Sequence, residues 1–311
     1  MNKLKKVGLT ALAGSLVASS VYAGELSVSG SWGLTYSSED SDEVTGNPWS
    51  MGDSVTFSGS GETDQGWAIG VSYELDGGTY DDYKLTLDTG EDTGKLTFSG
   101  ASVGSSGLKA YSNQVPNAAE AVYGSMDSSN DNGVVGAGST TGSWGYDVTM
   151  GSIGISAYYA PEAADGATTG NDNSIHIKYS GLVDGLDVGV GMGEKGETQD
   201  EETIWAKYVW DSLTFGYQRS KIDYTAAATG DEEADHIGVS MAVNDNISVS
   251  IGRQTVDMGG STATDEESTG VSASYTMGSM TIKGHANKTD DGDGTSGKND
   301  ASKGLSLSFS F

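Results

Sequence analysis

The chain has 311 residues, a net charge of −28, 47 glycines, 3 prolines and no cysteine. The acid excess excludes a general nucleic-acid binder, because phosphate contacts need bases. Without disulfides, stability has to come from burial or from closure of the backbone hydrogen-bond network.

Residues 1–23 read as a secretory signal peptide. Lys3, Lys5 and Lys6 precede a weakly apolar run from Val7 to Val21, and Val21-Tyr22-Ala23 is a small-x-small cleavage signal before Gly24. The mature chain is then 24–311. No later segment approaches the ~20 continuous apolar residues of a membrane helix.

From Gly24 onward the apolar residues keep a period of two. Leu26, Val28, Trp32, Leu34 and Tyr36 share one parity against Ser27, Ser29, Ser31 and Thr35. The same alternation returns around Val55–Phe57, Trp67–Leu75, Tyr83–Leu87 and Leu96–Phe98. After a gap it resumes at Trp144–Val148, Ile153–Tyr159, Ile175–Tyr179, Leu186–Met192 and Ile204–Trp210. It continues through Leu213–Tyr217, Ile237–Val243, Ile247–Ile251, Val271–Met277 and Met280–Ala286. The last strand, Leu305 to Phe311, places two Leu and two Phe on one face and Ser on the other. A bare apolar face at a chain end suits lipid better than water. Sixteen such strands predict an all-β fold: a 16-stranded antiparallel transmembrane β-barrel, apolar outward and wet inward.

Connection lengths support this reading. Short ones (Gly151-Ser152, Asp211-Ser212, Asn244-Asp245-Asn246, Gly278-Ser279) fall between long ones (Glu39–Ser50, Pro161–Asp172, Glu194–Asp200, Thr225–Glu233, Asp257–Glu267, Lys288–Ala301). Strict alternation is the asymmetry between periplasmic turns and external loops. Trp32, Tyr36, Trp67, Tyr208, Trp210 and Tyr275 lie near strand ends and fit interfacial girdles. The gap from about Ser102 to Ser143 is too long for a structureless connection, and Tyr111–Tyr123 within it suggests a short helical turn. It is the third long loop.

The loops carry acidic runs: Glu39-Asp40-Ser41-Asp42-Glu43, Asp231-Glu232-Glu233, Asp265-Glu266-Glu267 and Asp290-Asp291-Gly292-Asp293-Gly294. Asp290, Asp291 and Asp293 resemble half of a Ca²⁺ loop but lack the spaced terminal Glu. Two readings stay open: loose binding of Ca²⁺ or Mg²⁺ by external loops, or solvated carboxylates that bind no cofactor. The chain reads as non-enzymatic. His176, His236 and His285 lie on strands of different parts of the sheet, and no Gly-x-Ser-x-Gly elbow stands between strand and helix.

With strand count, loop alternation, the long third loop and the terminal Phe311 in place, the chain resembles the 16-stranded trimeric porins of the Gram-negative outer membrane, most of all the alphaproteobacterial kind. The likeness is architectural and covers 24–311. It implies that the third loop, about 102–143, folds into the lumen as a constriction, with Glu120, Asp127 and Asp131 as acidic pore groups. It implies passive diffusion of small hydrophilic solutes and ions, and a homotrimer. It also implies contact with outer-membrane lipid and lipopolysaccharide, and recognition of Phe311 and Phe309 by the barrel assembly machinery.

The residues depart from that family in two places. Arg219 and Arg253 have lipid-side parity, so the basic wall falls to Lys84, Lys95, Lys178, Lys207 and Lys283, all on the polar parity. The second long connection, about Asp76–Asp82, is short, although that loop latches subunits together in the family. An acidic loop facing few lysines predicts a weak cation preference. A substrate-selective channel and a plugged structural or adhesive barrel stand as alternatives. Trp205 and Tyr158 are the aromatics with lumen parity and make a thin track.

Overall fold

The computed structural model describes residues 26–38, 46–100, 106–126, 142–162, 170–226, 230–260 and 263–311. The signal-peptide segment 1–23, Asp127, Asp131 and the run Glu39–Glu43 lie outside the described residues.

Sixteen strands follow one another. The first five are β1 (Leu26–Ser38), β2 (Trp49–Glu62), β3 (Ala68–Asp76), β4 (Thr79–Asp88) and β5 (Lys95–Ser99). After the third loop come β6 (Ser143–Met150), β7 (Ile153–Ala160), β8 (Asp172–Ser180), β9 (Leu186–Lys195) and β10 (Gln199–Trp210). The remainder are β11 (Leu213–Tyr224), β12 (Glu232–Asn244), β13 (Ile247–Asp257), β14 (Glu266–Met277), β15 (Met280–Asp290) and β16 (Asp300–Ser310). Each pairs antiparallel with its chain neighbours, and β16 returns to β1 from Ser31↔Ser310 to Ser38↔Lys303. The sheet therefore closes and leaves no open edge, the one way strands can cross hydrocarbon without orphaned backbone groups.

Burial runs opposite to that of a soluble sheet. In β10, Gln199, Glu201, Thr203 and Trp205 are buried toward the lumen, while Ile204 and Trp210 are exposed outward. The outward apolar face meets lipid, and the inward face carries small polar groups. Aromatic pairs such as Tyr36–Trp49, with ring centroids 5.1 Å apart, stand at the loop end of the outer wall.

Two connections on the loop side are shorter than the sequence suggests. β3 and β4 are joined by Gly77-Gly78 alone, with φ of +55° and +75°, the left-handed pair that a two-residue hairpin needs. β9 and β10 are joined by 196–198, so the expected long loop Glu194–Asp200 is mostly strand. On the opposite side, 63–67, 89–94 and 181–185 are longer than tight turns. The expected strict short/long alternation is therefore broken. Its source is physical. Above the lipid band a strand no longer needs an apolar outer face, so Glu194 and Asp200 pair in register while reading as loop.

Candidate functional site: the lumen and its third loop

Residues 106–126 run along the lumen-facing wall from β6 to β15. An irregular segment has no ladder of its own, so its backbone groups need other partners. Side chains of the wall supply them. The amides of Gly107 and Leu108 donate to the hydroxyls of Ser156 and Ser174 at 2.7 and 3.0 Å. The Gln114 amide donates to Gln218 Oε1 at 2.7 Å, and Gln218 Nε2 donates back to the Tyr111 carbonyl at 2.9 Å. Ala118 N donates to Ser250 Oγ at 2.9 Å and Ala119 N to Ser272 Oγ at 3.0 Å. Asn287 Nδ2 donates to the carbonyls of Ala121 and Gly124 at 2.8 and 3.1 Å.

The apolar side chains of this loop face the wall. Leu108, Val115 and Val122 are buried there. Room for them comes from glycine. Gly216, Gly238, Gly252 and Gly270 pair in register across β11–β14 and form an unbroken lumen-facing row. A Cβ on Gly216 would lie 2.3 Å from Pro116 Cδ, and one on Gly238 would lie 2.6 Å from Val115 Cγ1. The wall is thus recessed where the loop sits. The apolar periodicity does not point to this row; its signal in the sequence is the recurrence of inward-parity glycines on successive strands.

Near its start the loop is clamped by three rings. Tyr111 stacks on His176 with centroids 3.4 Å apart and an interplanar angle of 10°, and His176 lies parallel to Trp205. Trp205 Nε1 donates to His176 Nε2 at 2.8 Å, so the histidine accepts there and keeps its proton on Nδ1. His176 and Trp205 are 0% and 2% exposed. Burial pushes the Tyr111 phenol above its ordinary pKa, and the Asp147 carboxylate adds to the effect. Trp205 and Tyr158, the two lumen-parity aromatics, are therefore buried wall residues rather than an exposed track.

The expected site residues fall into separate groups. Lys178 pairs with Asp187 at 2.8 Å, and Lys207 lies beside them with its ammonium 5.8 Å from the Trp205 ring centroid. Lys95, opposite Asp88 and Asp147 in register, lines one cavity with Tyr111. Lys84 stands on the facing wall in an ion pair with Asp82 at 2.7 Å. Lys283 is near the turn end of β15, between Ser274 and Ser306. Glu120 lies on the loop within electrostatic reach of His285.

Outside the lumen, Asp290 pairs with Lys288 at 2.6 Å and Asp293 pairs with Lys298. Asp291 Oδ1 accepts from the Gly297 amide at 2.6 Å. Among the described residues no three His, Asp or Glu converge as a metal site would require. Phe311 exchanges two backbone hydrogen bonds of 3.0 Å with Gly30. Its ring covers that glycine, where a Cβ would come within 2.7 Å of it. Arg219 and Arg253 point outward, as their parity requires, and pair with Asp235 at 2.5 Å and Glu267 at 2.7 Å.

A closed barrel with an apolar outer band, a polar lumen and a loop seated inside it defines an outer-membrane channel. A family model of Gram-negative porins matches residues 8–311, and the chain belongs to that family. It is located in the Gram-negative outer membrane. No curated protein matches it in sequence. Among solved structures, a porin refined at 1.8 Å resolution shares 18% identity at a TM-score of 0.69, over 92% of this chain and all of that one. An anion-selective porin from Comamonas acidovorans shares 13% at 0.70, over 93% of this chain and 100% of that one. A triple mutant of the Rhodopseudomonas blastica porin shares 14% at 0.62, over 92% and 100%. At these identities the likeness is one of fold.

Proposed function

We propose that this porin is a general diffusion channel for small hydrophilic solutes and ions, weakly cation-preferring, with the third loop as its constriction. The observation that carries this reading is the seating of 106–126 on one side of the lumen. The loop runs along the inner faces of β6–β15, and the passage is left against β1–β5, lined by Ser31, Ser54, Thr56 and Ser58 with Glu74, Asp82 and Lys84. Hydroxyls and a few charges suit hydrated solutes without selecting one.

The cation preference rests on lysine neutralisation. Lys84 and Lys178 are each held by an aspartate, which reduces the free positive charge that the lumen sets against the acidic loops. Glu120, Asp127 and Asp131 supply the loop's own carboxylates; Lys84 and Lys95 are on the β1–β5 side, and Lys178, Lys207 and Lys283 are on strands along which the loop runs. The Comamonas acidovorans relative is described as anion-selective, so the fold leaves the sign to these side chains.

The working unit is a homotrimer, as the family resemblance implies, held without a second-loop latch because Gly77-Gly78 is too short to reach a neighbour. External carboxylates, Asp290, Asp291 and Asp293 among them, attract Ca²⁺ or Mg²⁺ as dispersed weak contacts in competition with Lys288 and Lys298, without forming a convergent site among the described residues. A fall in thermal stability on chelation supports that binding, and an unchanged melting curve removes it.

The deciding experiment is conductance in a planar bilayer under a salt gradient. Stepwise openings in threes with a cation-side reversal potential support the full reading. An anion-side reversal overturns the charge argument alone. A silent membrane from folded, heat-modifiable protein marks a plugged barrel and overturns the diffusion pore.

A further inference from the structure

All three histidines of the chain face the lumen, and each meets a different residue of the third loop. His176 on β8 stacks on Tyr111, His236 on β12 meets Tyr123 edge to face with centroids 5.7 Å apart, and His285 on β15 faces Glu120. Tyr111 and Tyr123 bracket the stretch whose Val115, Pro116 and Val122 fill the glycine recess. The loop is thus held at both ends by a ring that can take up a proton. Between those ends it is held by Gln218, Ser250, Ser272 and Asn287, which do not titrate.

His176 and His236 sit where a neutral ring fits and a charged one does not. His176 Nε2 accepts from Trp205, and its Nδ1 is buried without a partner. A proton added at Nε2 sets two N–H donors against each other and breaks that bond. The Tyr111 face favours a cation, but stacking leaves both in-plane donors without an acceptor. Nearby charges do not rescue it. Lys178 on the same strand repels a second cation, as does Lys207 beside Trp205. Asp187 is taken up by Lys178, and Asp147 on β6 accepts from Ser106 and Ser156 at 2.7 and 2.5 Å.

His236 is 2% exposed and pairs in register with Gln218 and Gln254, both neutral. Its Nδ1 is also buried without a partner, and among the described residues no charge acts on it. Gln218 is the residue that exchanges two hydrogen bonds with the loop at Gln114 and Tyr111, so the two histidines border one continuous anchor. His285 differs. It is half-buried between Ser272 and Gly304, with Lys283 on its own strand and the Glu120 carboxylate facing it from the loop. A proton there draws Glu120 in and tightens the loop.

We propose that His176 and His236 are positioning residues of the constriction, which seat the third loop only while neutral, so that acid releases the loop into the passage. Both rings gain their proton only with the loop displaced. Seating is therefore complete at neutral pH and is lost as pH falls. The released segment enters the space beside β1–β5 and narrows it, a step that rests on the reading of this loop as the constriction.

The test is hydrogen exchange of 106–126, corrected for intrinsic rates, beside single-channel conductance, from about pH 7.5 to about pH 4. In wild type the opening constant of the segment should rise by up to about a hundredfold per pH unit where two protons are taken up, and conductance should fall with it. H176Q and H236Q carry an amide that does not titrate. Each should cut the slope to about tenfold per unit, and H176Q/H236Q should flatten it. H285Q should leave the slope at least as steep as in wild type. Strand amides should stay protected throughout, which reports an intact barrel. Release of the loop without a change in conductance supports the histidine switch and overturns the constriction reading. Loop protection that persists to about pH 4 in wild type, or that falls as steeply in H176Q/H236Q, overturns the proposal.

Discussion

Single atoms on the lumen wall decide where the third loop can lie. Gly216 and Gly52 both face the lumen, but a Cβ on Gly216 meets Pro116 Cδ at 2.3 Å and one on Gly52 meets nothing within 4 Å. Valine suits a strand at either place. Gly216→Val should therefore leave the barrel folded but lift the loop toward the open passage, with an overpacking cost of ~1–3 kcal/mol at the seat. Single-channel conductance should fall in Gly216→Val and hold in Gly52→Val, and equal conductance in the two variants would refute the seating.

Trp205→Phe tests the ring clamp in a different way. Phenylalanine keeps a stacking face but removes the donor to His176 Nε2, leaving a buried acceptor without a partner. Such a loss costs ~1–3 kcal/mol. The cost falls on the loop more than on the ladder, so proteolysis or hydrogen exchange within 106–126 should quicken while the heat-modifiable barrel persists. Unchanged protection of that segment would mean the clamp contributes nothing.

At the level of elements, β4 carries an ion pair on the wall opposite the loop, Lys84 with Asp82. Asp82→Asn frees Lys84 from its 2.7 Å partner and places a positive charge in the passage. The reversal potential under a salt gradient should move toward anions, and more so at low salt, where screening is weakest. A shift toward cations, or none, would remove Lys84–Asp82 from the charge filter.

Which elements were legible in the sequence follows from the same physics. All sixteen strands showed themselves because lipid demands an apolar residue at every second position, and Leu26–Tyr36 or Leu305–Phe311 have little alternative reading. The loop ends of β9, β10 and β11 were hidden. Glu202 and Lys221 pair in register there outside the lipid band, where nothing enforces a period. The lysine parities were legible for that reason too: Lys84, Lys95, Lys178, Lys207 and Lys283 all lie on the lumen-facing parity. Their partners were not legible, because Lys178–Asp187 and Lys84–Asp82 depend on register and local geometry. The glycine row at Gly216–Gly238–Gly252–Gly270 needed cross-strand register before its single purpose could be read.

For the whole molecule, the closing pair of strands ends at one residue. Phe311 contributes two backbone hydrogen bonds to Gly30 and a ring laid over that glycine, and it is 66% exposed. Against a closed ladder of sixteen strands this is a small share, since each bond is worth a net ~0.5–1.5 kcal/mol. Phe311→Ala keeps the backbone bonds and loses only the ring. Refolding into lipid vesicles, followed by heat-modifiable mobility, should therefore stay close to wild type. Deletion of Phe311 removes the bonds as well and should lower the refolded yield and the midpoint of urea unfolding. If the terminal aromatic is read by the assembly machinery, Phe311→Ala should still deplete the protein from the outer membrane of expressing cells while folding normally in vesicles. Loss in both settings would assign the ring to closure itself, and wild-type behaviour in both would leave the residue without either role.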